Sequence, residues 1–310
     1  MRTALVPNTE LNWSVVGMGC WPLGGEYWGT PTDPPTLRGA VRAALDSGIN
    51  WFDTAPLYGA GRADTVLAAA LGPEGMIATK VGVRQGANGH ATSDLSAGHV
   101  IADAEASLLR LGRETIDLLQ VHWPCEHGTP LESTFEALDQ LRAAGKVRYV
   151  GVCNYNAVGL RHVRRIAPWV VTLQTPYSLL RRELEGELRD AAQGMGVLAY
   201  EVLVRGLLTG KFRHAPTFGE DDLRSRDDRF HGPRFDHARG LVTDLAKVAA
   251  RLRLPVAAVP LGWALHQPGI THVIAGARHP DQIRQNAAAA RLTAKSASVV
   301  SRIAQLHGPG

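Results

Sequence analysis

The sequence predicts an α/β fold: a single closed (β/α)8 TIM barrel, with extra C-terminal helices and a long loop after the seventh strand. Three observations carry that expectation. Apolar runs of strand length recur eight times along the 310 residues. Helical stretches lie between most of them, which is the pattern of parallel βαβ units. The units spread evenly over the whole length, as a closed barrel requires, so residues 1–310 are expected to form one domain. A doubly wound sheet would instead want Gly-x-Gly-x-x-Gly after its first strand. The residues there read Trp21-Pro22-Leu23-Gly24-Gly25, which lacks that spacing.

The eight runs are 15–20, 49–53, 76–80, 116–121, 147–153, 170–174, 197–200 and 271–275. Leu37, Val41 and Leu45 share one helical face, and Gly48 stops that helix before Ile49-Asn50-Trp51-Phe52. A helix over 99–111 carries Val100, Ala104, Leu108 and Leu111 on one face and stops at Gly112. A helix over 131–144 carries Leu131, Phe135, Leu138 and Leu141 and stops at Gly145. A shorter one over 184–193 ends near Gly194 and Gly196. The segment 212–236, rich in Asp, Arg, His and Gly, is too long for a plain connector. It reads as a barrel-top loop that closes over a ligand.

Composition narrows the function. Hydrophobic residues make up 45% and charged residues 20%, which excludes a disordered chain, a collagen and a coiled coil. The net charge of +4 is spread along the chain without a Lys/Arg run, so no nucleic-acid partner is expected. Three cysteines, Cys20, Cys125 and Cys153, make no Cys-x-x-Cys and read as reduced thiols. Residues 1–13 have no apolar signal core, and no stretch approaches a membrane span. The expected location is the cytoplasm. No pattern encodes an oligomeric state.

Barrel chemistry sits at the C-terminal ends of the strands. Six runs end there in a polar or aromatic group: Asp53, Lys80, His122, Asn154, Gln174 and Tyr200. There is no His-x-His and no His-Glu-x-x-His, and His122, Cys125 and His127 match no usual zinc pattern, so no metal is expected. A Gly-x-Ser-x-Gly elbow and a phosphate loop are also missing. Two chemistries remain: a Schiff base on Lys80, or proton transfer by a tuned tyrosine. Tyr58 lies five residues past Asp53, on the loop leaving that strand.

Taken together, these residues resemble an aldo-keto reductase over nearly the whole chain. Gly17-Met18-Gly19-Cys20-Trp21 resembles the first-strand motif of that superfamily. The run from Gly48 through Asp53-Thr54-Ala55-Pro56-Leu57-Tyr58-Gly59 resembles its most specific signature. Thr79-Lys80, Val121-His122-Trp123-Pro124 and Gly151-Val152-Cys153-Asn154 follow in family order. Gly206-Leu207-Leu208-Thr209-Gly210-Lys211 and the stretch from Gly276 through Arg278 and Gln282 to Asn286 complete the set. The style is closest to the branch holding bacterial sugar and aldehyde reductases and potassium-channel β subunits.

The resemblance implies NADP(H) bound in extended form and a tetrad of Asp53, Tyr58, Lys80 and His122. Tyr58 would be the general acid in reducing an aldehyde or ketone. Lys80 would lower its pKa from the free value of about 10, Asp53 would hold Lys80, and His122 would donate to the carbonyl oxygen. The resemblance also implies cofactor contacts. Asn154 and Gln174 would bond the nicotinamide carboxamide, and Tyr200 would stack on its ring. Gly19, Cys20 and Trp21 would line the nicotinamide ribose, while Leu203, Arg205, Gly210 and Lys211 would follow the pyrophosphate. Gly276, Arg278, Gln282 and Asn286 would hold the adenosine end, with Arg278 favouring NADPH. Trp21, Trp28, Tyr58, Trp123 and the 212–236 loop are the substrate-pocket candidates for a small carbonyl compound or sugar. The family commonly has Tyr-Ser-Pro-Leu where this chain has Tyr200-Glu201-Val202-Leu203. That Glu201 is expected either to face away or to pair with Arg205. The alternative function is an NADP(H)-binding regulatory or sensor subunit with little turnover. The lack of an added N-terminal inactivating segment favours the enzyme.

Overall fold

The structure, a computed structural model, describes residues 1–85, 91–125 and 128–308. It begins with an antiparallel hairpin of β1 (Thr3–Leu5) and β2 (Asn12–Ser14). Strands and helices then alternate through β3 (Val16–Gly19), α1 (Pro34–Asp46), β4 (Trp51–Asp53), α2 (Arg62–Leu71) and β5 (Met76–Val81). A second hairpin, β6 (Val83–Gln85) with β7 (Ala91–Ser93), interrupts the alternation. It resumes with α3 (Ala97–Leu111), β8 (Ile116–Val121), α4 (Leu131–Ala143), β9 (Val147–Cys153) and α5 (Ala157–Ile166). Next come β10 (Thr172–Pro176), α6 (Glu187–Ala191), β11 (Gly196–Tyr200), α7 (Gly232–Leu252) and α8 (Ala258–Ala264). The last elements are β12 (His272–Gly276), α9 (Pro280–Ala287) and α10 (Ala294–His307).

Eight strands close one parallel barrel, in the order β3, β4, β5, β8, β9, β10, β11, β12 and back to β3. These are the eight apolar runs of the sequence. The helix stops act as expected. Gly48 has φ of +78°, a left-handed conformation that glycine adopts without a Cβ penalty. Its N–H and that of Ile49 close the end of α1 on the carbonyls of Leu45 and Ala44, at 2.8 and 2.9 Å. Several boundaries differ from expectation. The 170–174 run starts its strand at Thr172, and the 184–193 helix shrinks to the five residues of α6. Residues 232–236, expected in the long loop, form the first turn of α7, because Pro233 at its start is already set for helix. No helix among the described residues is long and apolar enough to cross a membrane.

Two apolar clusters hold the barrel. A large outer one joins strands to helices through Val16, Leu37, Val41, Leu108, Leu119, Phe135, Leu138 and others, all buried. A smaller inner one fills the lumen with Val6, Leu11, Trp13, Trp51, Ala78, Leu118, Leu198 and Ile274. Side chains alternate along a strand, so the residue two positions past each inner apolar group faces the lumen again. Trp51 leads to Asp53, Ala78 to Lys80, Leu118 to Gln120, Leu198 to Tyr200 and Ile274 to Gly276. The apolar plug thus carries a polar layer on top of it, at the C-terminal mouth.

Candidate active site

Lys80 is at the centre of that layer and is 1% exposed. Its ammonium has three hydrogens. They go to Asp53 Oδ1 at 2.7 Å, to the Thr54 carbonyl at 3.0 Å and to the Tyr58 hydroxyl oxygen at 3.1 Å. The other Asp53 oxygen accepts from Gln174 Nε2 at 2.7 Å and from Gln120 Nε2 at 3.5 Å. Every polar atom of this buried pair is therefore used, which is the condition under which a buried ion pair persists. Thr54 is itself anchored, its hydroxyl donating to Asp64 at 2.7 Å, and Asp64 is paired with Arg110 at 3.0 Å.

Burial and charge set the protonation states. Burial pulls the Lys80 ammonium down, but the Asp53 carboxylate and then Tyr58 outweigh it, so Lys80 stays charged with a pKa above its ordinary value. Burial, with the nearby Lys80 charge, pushes His122 well below the usual imidazole range, so its ring is neutral at pH 7. Tyr58 departs from expectation. Burial drives its pKa up to about 12, and the pull of Lys80, partly cancelled by Asp53, does not reverse it. Sequence neighbours reveal the lysine but not the desolvation, and desolvation wins. Tyr58 rests as a protonated phenol.

Above this layer opens a cavity of about 810 Å³. A chain of rings borders it: Trp28 lies 5.1 Å from Trp21, Trp21 is 6.1 Å from Tyr58, Tyr58 is 6.0 Å from His122, and His122 is 5.4 Å from Trp123. Asp53, Asn154, Gln174 and Tyr200 also line it, as do Gly19, Leu203, Arg205, Gly210, Lys211, Gly276, Arg278, Gln282 and Asn286. Asn154 is pinned: it accepts from the Tyr200 hydroxyl at 2.8 Å and donates to the His122 carbonyl at 3.0 Å. Cys20 does not join them. Alternation along β3 turns Met18 and Cys20 into the outer core, where the Cys20 thiol donates to the Met18 carbonyl at 3.7 Å. His127, a weighed metal candidate, lies outside the described residues. Among those described, no cluster of metal-binding side chains forms.

The segment 212–231 borders the cavity through Arg224. It contains two short 3-10 turns, Leu223–Arg226 and Asp228–Phe230. The Leu223 N–H donates to the Tyr27 carbonyl at 3.1 Å, which ties this segment to the loop after β3. Glu201 is the other tie. It bonds Arg229 at 2.8 Å, Arg181 at 3.3 Å and Arg205 at 3.4 Å, so pairing with Arg205 is the correct alternative and only part of it. Asp227 closes the network on Arg205 at 3.1 Å. Sequence reasoning missed Gln120, Thr54, Asp222, Arg224, Asp227 and Arg229. The signal for Gln120 was its place between Leu118 and His122 on one strand face. The others had none, because their roles depend on backbone and on distant partners.

The wall has the donors an anionic, amide-bearing ligand would need. Asn286 Nδ2 is buried with no partner among the described residues. Lys211, Arg224 and Arg278 all face the cavity. Burial, then Arg224 and Arg278, pull Lys211 down to about 8 against the opposing Asp222 carboxylate, so three cations share one carboxylate there. Such a cluster suits phosphates. The residues fit a nicotinamide dinucleotide.

Comparison with known proteins agrees with the geometry. Residues 15–307 match the Aldo/keto reductase family. Aldo-keto reductase YhdN of Bacillus subtilis is 37% identical over 291 residues, covering 91% of this chain and 87% of that protein. The NADH-specific methylglyoxal reductase of Escherichia coli is 27% identical over 315 residues, covering 96% of each. Among solved structures, the glycerol dehydrogenase AKR11B4 from Gluconobacter oxydans superposes with a TM-score of 0.89 at 34% identity, over 100% of this chain and 97% of that one. The holo form of aldo-keto reductase AKR11C1 from Bacillus halodurans gives 0.78 at 26% identity, over 98% of this chain and 96% of that one. The family match, the barrel and the tetrad converge on one conclusion: the chain belongs to the aldo/keto reductase family of oxidoreductases.

Proposed function

We propose that the protein is an NADP(H)-dependent reductase that converts an aldehyde or ketone to the alcohol, with Tyr58 as general acid. One observation carries this reading: Lys80 donates to the Tyr58 oxygen, so the phenol proton points elsewhere. No described side chain accepts that proton, and Tyr58 lines the cavity. A protonated acid thus faces the space where a carbonyl would lie.

When bound, the nicotinamide supplies hydride to the carbonyl carbon. The residues of the chain do the rest. Neutral His122, with Tyr58 beside it, has an N–H to offer the carbonyl oxygen and holds it in place. Tyr58 gives that oxygen its proton. As the proton leaves, Lys80 becomes the counter-ion of the tyrosinate, and Asp53 keeps Lys80 charged and aimed. Proton transfer of this kind supplies roughly 10²–10⁴-fold. The remainder comes from holding both reactants in one closed space. Asn154 and Gln174 are assigned to the carboxamide, and Tyr200 to the nicotinamide ring. Gly19 and Trp21 are assigned to the ribose, and Leu203, Arg205, Gly210 and Lys211 to the pyrophosphate. Gly276, Arg278, Gln282 and Asn286 are assigned to the adenosine end. One relative carries the name NADH-specific; the cations that line this chain's cavity, Lys211 and Arg278 among them, support a preference for NADPH here.

A panel of uncharged aldehydes, ketones and sugars, followed by loss of NADPH absorbance with NADH in parallel, tests the reading. Turnover of at least one carbonyl, faster with NADPH, is expected. Tight NADPH binding with no turnover across the panel would favour the sensor instead.

A further inference from the structure

A carboxylate outside the tetrad is buried just behind it. Asp64, in the first turn of α2, is fully buried. Burying a charge is costly unless its oxygens are well paired. Asp64 Oδ1 accepts from the Thr54 hydroxyl at 2.7 Å, and Oδ2 accepts from Arg110 Nε at 3.0 Å. Arg110 comes from α3, where it also donates to the Ser107 hydroxyl at 3.0 Å. The carboxylate thus reaches out of its own helix, to the residue after β4 on one side and to α3 on the other.

Thr54 is what that carboxylate holds in the site. Its N–H donates to the Ala78 carbonyl on β5 at 2.9 Å, its hydroxyl goes to Asp64, and its own carbonyl accepts from Lys80 at 3.0 Å. Two of its groups are fixed, so the third stays pointed at the ammonium. Tyr58 lies on the segment that the Thr54–Asp64 bond closes into a loop. Past Tyr58 the chain runs through Gly59, Ala60 and Gly61 with φ of +61°, +51° and +89°. Ala60 carries a Cβ in that left-handed region, which is strained unless the surroundings impose it. Arg110 is part of those surroundings: a Cβ on Gly61 would stand 2.9 Å from Arg110 Cδ and 3.1 Å from its Nε. One ion pair therefore braces both ends of the loop that carries Tyr58.

We propose that Asp64, anchored by Arg110, is a positioning residue for the proton transfer: through Thr54 it holds the Lys80 ammonium on the Tyr58 oxygen. This rests on the reading of Tyr58 as general acid. Lys80 has three hydrogens and three acceptors, so a displaced Thr54 carbonyl re-aims the ammonium and loosens its hold on Tyr58. Asp64 is not among the described residues that line the cavity. Its effect falls on the chemical step and not on binding.

Asparagine has a single acceptor oxygen, so Asp64→Asn can serve Thr54 or Arg110 but not both. Thr54→Val removes the hydroxyl and leaves the Asp64–Arg110 pair, and it decides if Asp64→Asn does not fold. With an aldehyde or ketone from the panel, each folded variant should lose roughly 10–100-fold in kcat at saturating NADPH. The solvent deuterium isotope effect on kcat should grow, because the slowed step moves a proton. The Kd for NADPH should stay within about twofold. Thr54→Ser, which keeps the hydroxyl, should recover most of the rate lost in Thr54→Val. Folded variants with wild-type kcat and isotope effect would show that Asp64 only supports the fold, and a matching loss of NADPH affinity would show that it acts on the cofactor; either result overturns the proposal. In a Tyr58→Phe background, Asp64→Asn should cost little more. An undiminished loss there overturns the role of Asp64 alone, whereas near wild-type kcat in Tyr58→Phe itself overturns the general-acid reading.

Discussion

At the N-terminal mouth of the barrel, Trp13 lies flat on Trp51, with ring centres 4.3 Å apart and planes 7° from parallel. His272 meets both edge-on at 5.9 Å, and the Trp51 indole N–H donates to the Ser14 carbonyl at 2.8 Å. At the C-terminal mouth, the same residue types also touch one another, but they line a cavity instead of filling it. Trp21, Trp28 and Trp123 border open space beside Tyr58 and His122. Both histidines are kept neutral by burial. The contrast shows what separates structure from function in one barrel. At the lower end rings touch and fill the lumen, so their energy goes into stability. At the upper end the rings leave a space, and the groups facing it, Tyr58 and Asn286 among them, keep hydrogen-bonding capacity for something else.

The comparison breaks most sharply at Lys80. Lys80→Met should lower kcat by roughly 10²–10⁴-fold. It should also cost about 3–5 kcal/mol of stability, because Asp53 is left buried and unpaired. Steady-state kinetics and urea melts read the two effects separately. A stable, active Lys80→Met protein would remove the buried pair from the account. Trp51→Ala should do the opposite kind of damage, costing about 3–5 kcal/mol in stability while the activity of the folded fraction persists. Selective loss of turnover there would mean that the two ends are not independent.

A pH experiment sharpens the lower end further. Burial pushes His272 down to about 4, whereas an imidazole in the unfolded chain titrates near about 6.5. Between those values the unfolded chain binds a proton that the native protein does not. Stability therefore falls as pH drops through that window, by up to about 3 kcal/mol from this group. His122, also depressed, adds its own share. In His272→Asn, urea midpoints at pH 7 and pH 5 should lie closer together than in wild type. An unchanged gap would show that His272 does not titrate in this way. The smallest effect belongs to the edge of the site. Arg278→Ala should weaken NADPH binding about tenfold, near about 1.4 kcal/mol, and barely change NADH, as fluorescence quenching would show. Equal losses for both cofactors would count against its pairing with the phosphate.

The upper end was far more legible in the sequence than the lower one. Asp53, Lys80, His122 and Gln174 each close an apolar run, and period-two alternation carries such a residue from the plug to the mouth. Gln120 was hidden because it sits one residue before the end of its run. The β1–β2 hairpin left no readable trace, since its strands are three residues each and Trp13 finds its partner 38 positions away in Trp51. The resemblance implied Cys20 as a wall residue with Gly19 and Trp21, and alternation turns it outward. The pairing of Asp222 with Arg224 lies within a loop of mixed charge, where sequence alone cannot choose among partners. The upward shift of Tyr58 has a related reason: the lowering pull of Lys80 is visible in a sequence, and the water excluded from around both groups is not.

The central claim is that a protonated Tyr58, supported by Lys80, faces the reacting carbonyl. Tyr58→Phe tests it most directly, because it removes one oxygen and keeps the ring between Trp21 and His122. With a substrate from the carbonyl panel, kcat should fall by roughly 10²-fold or more, while the Kd for NADPH stays close to that of wild type. A Tyr58→Phe protein that binds NADPH normally and turns over at near wild-type kcat would contradict the account.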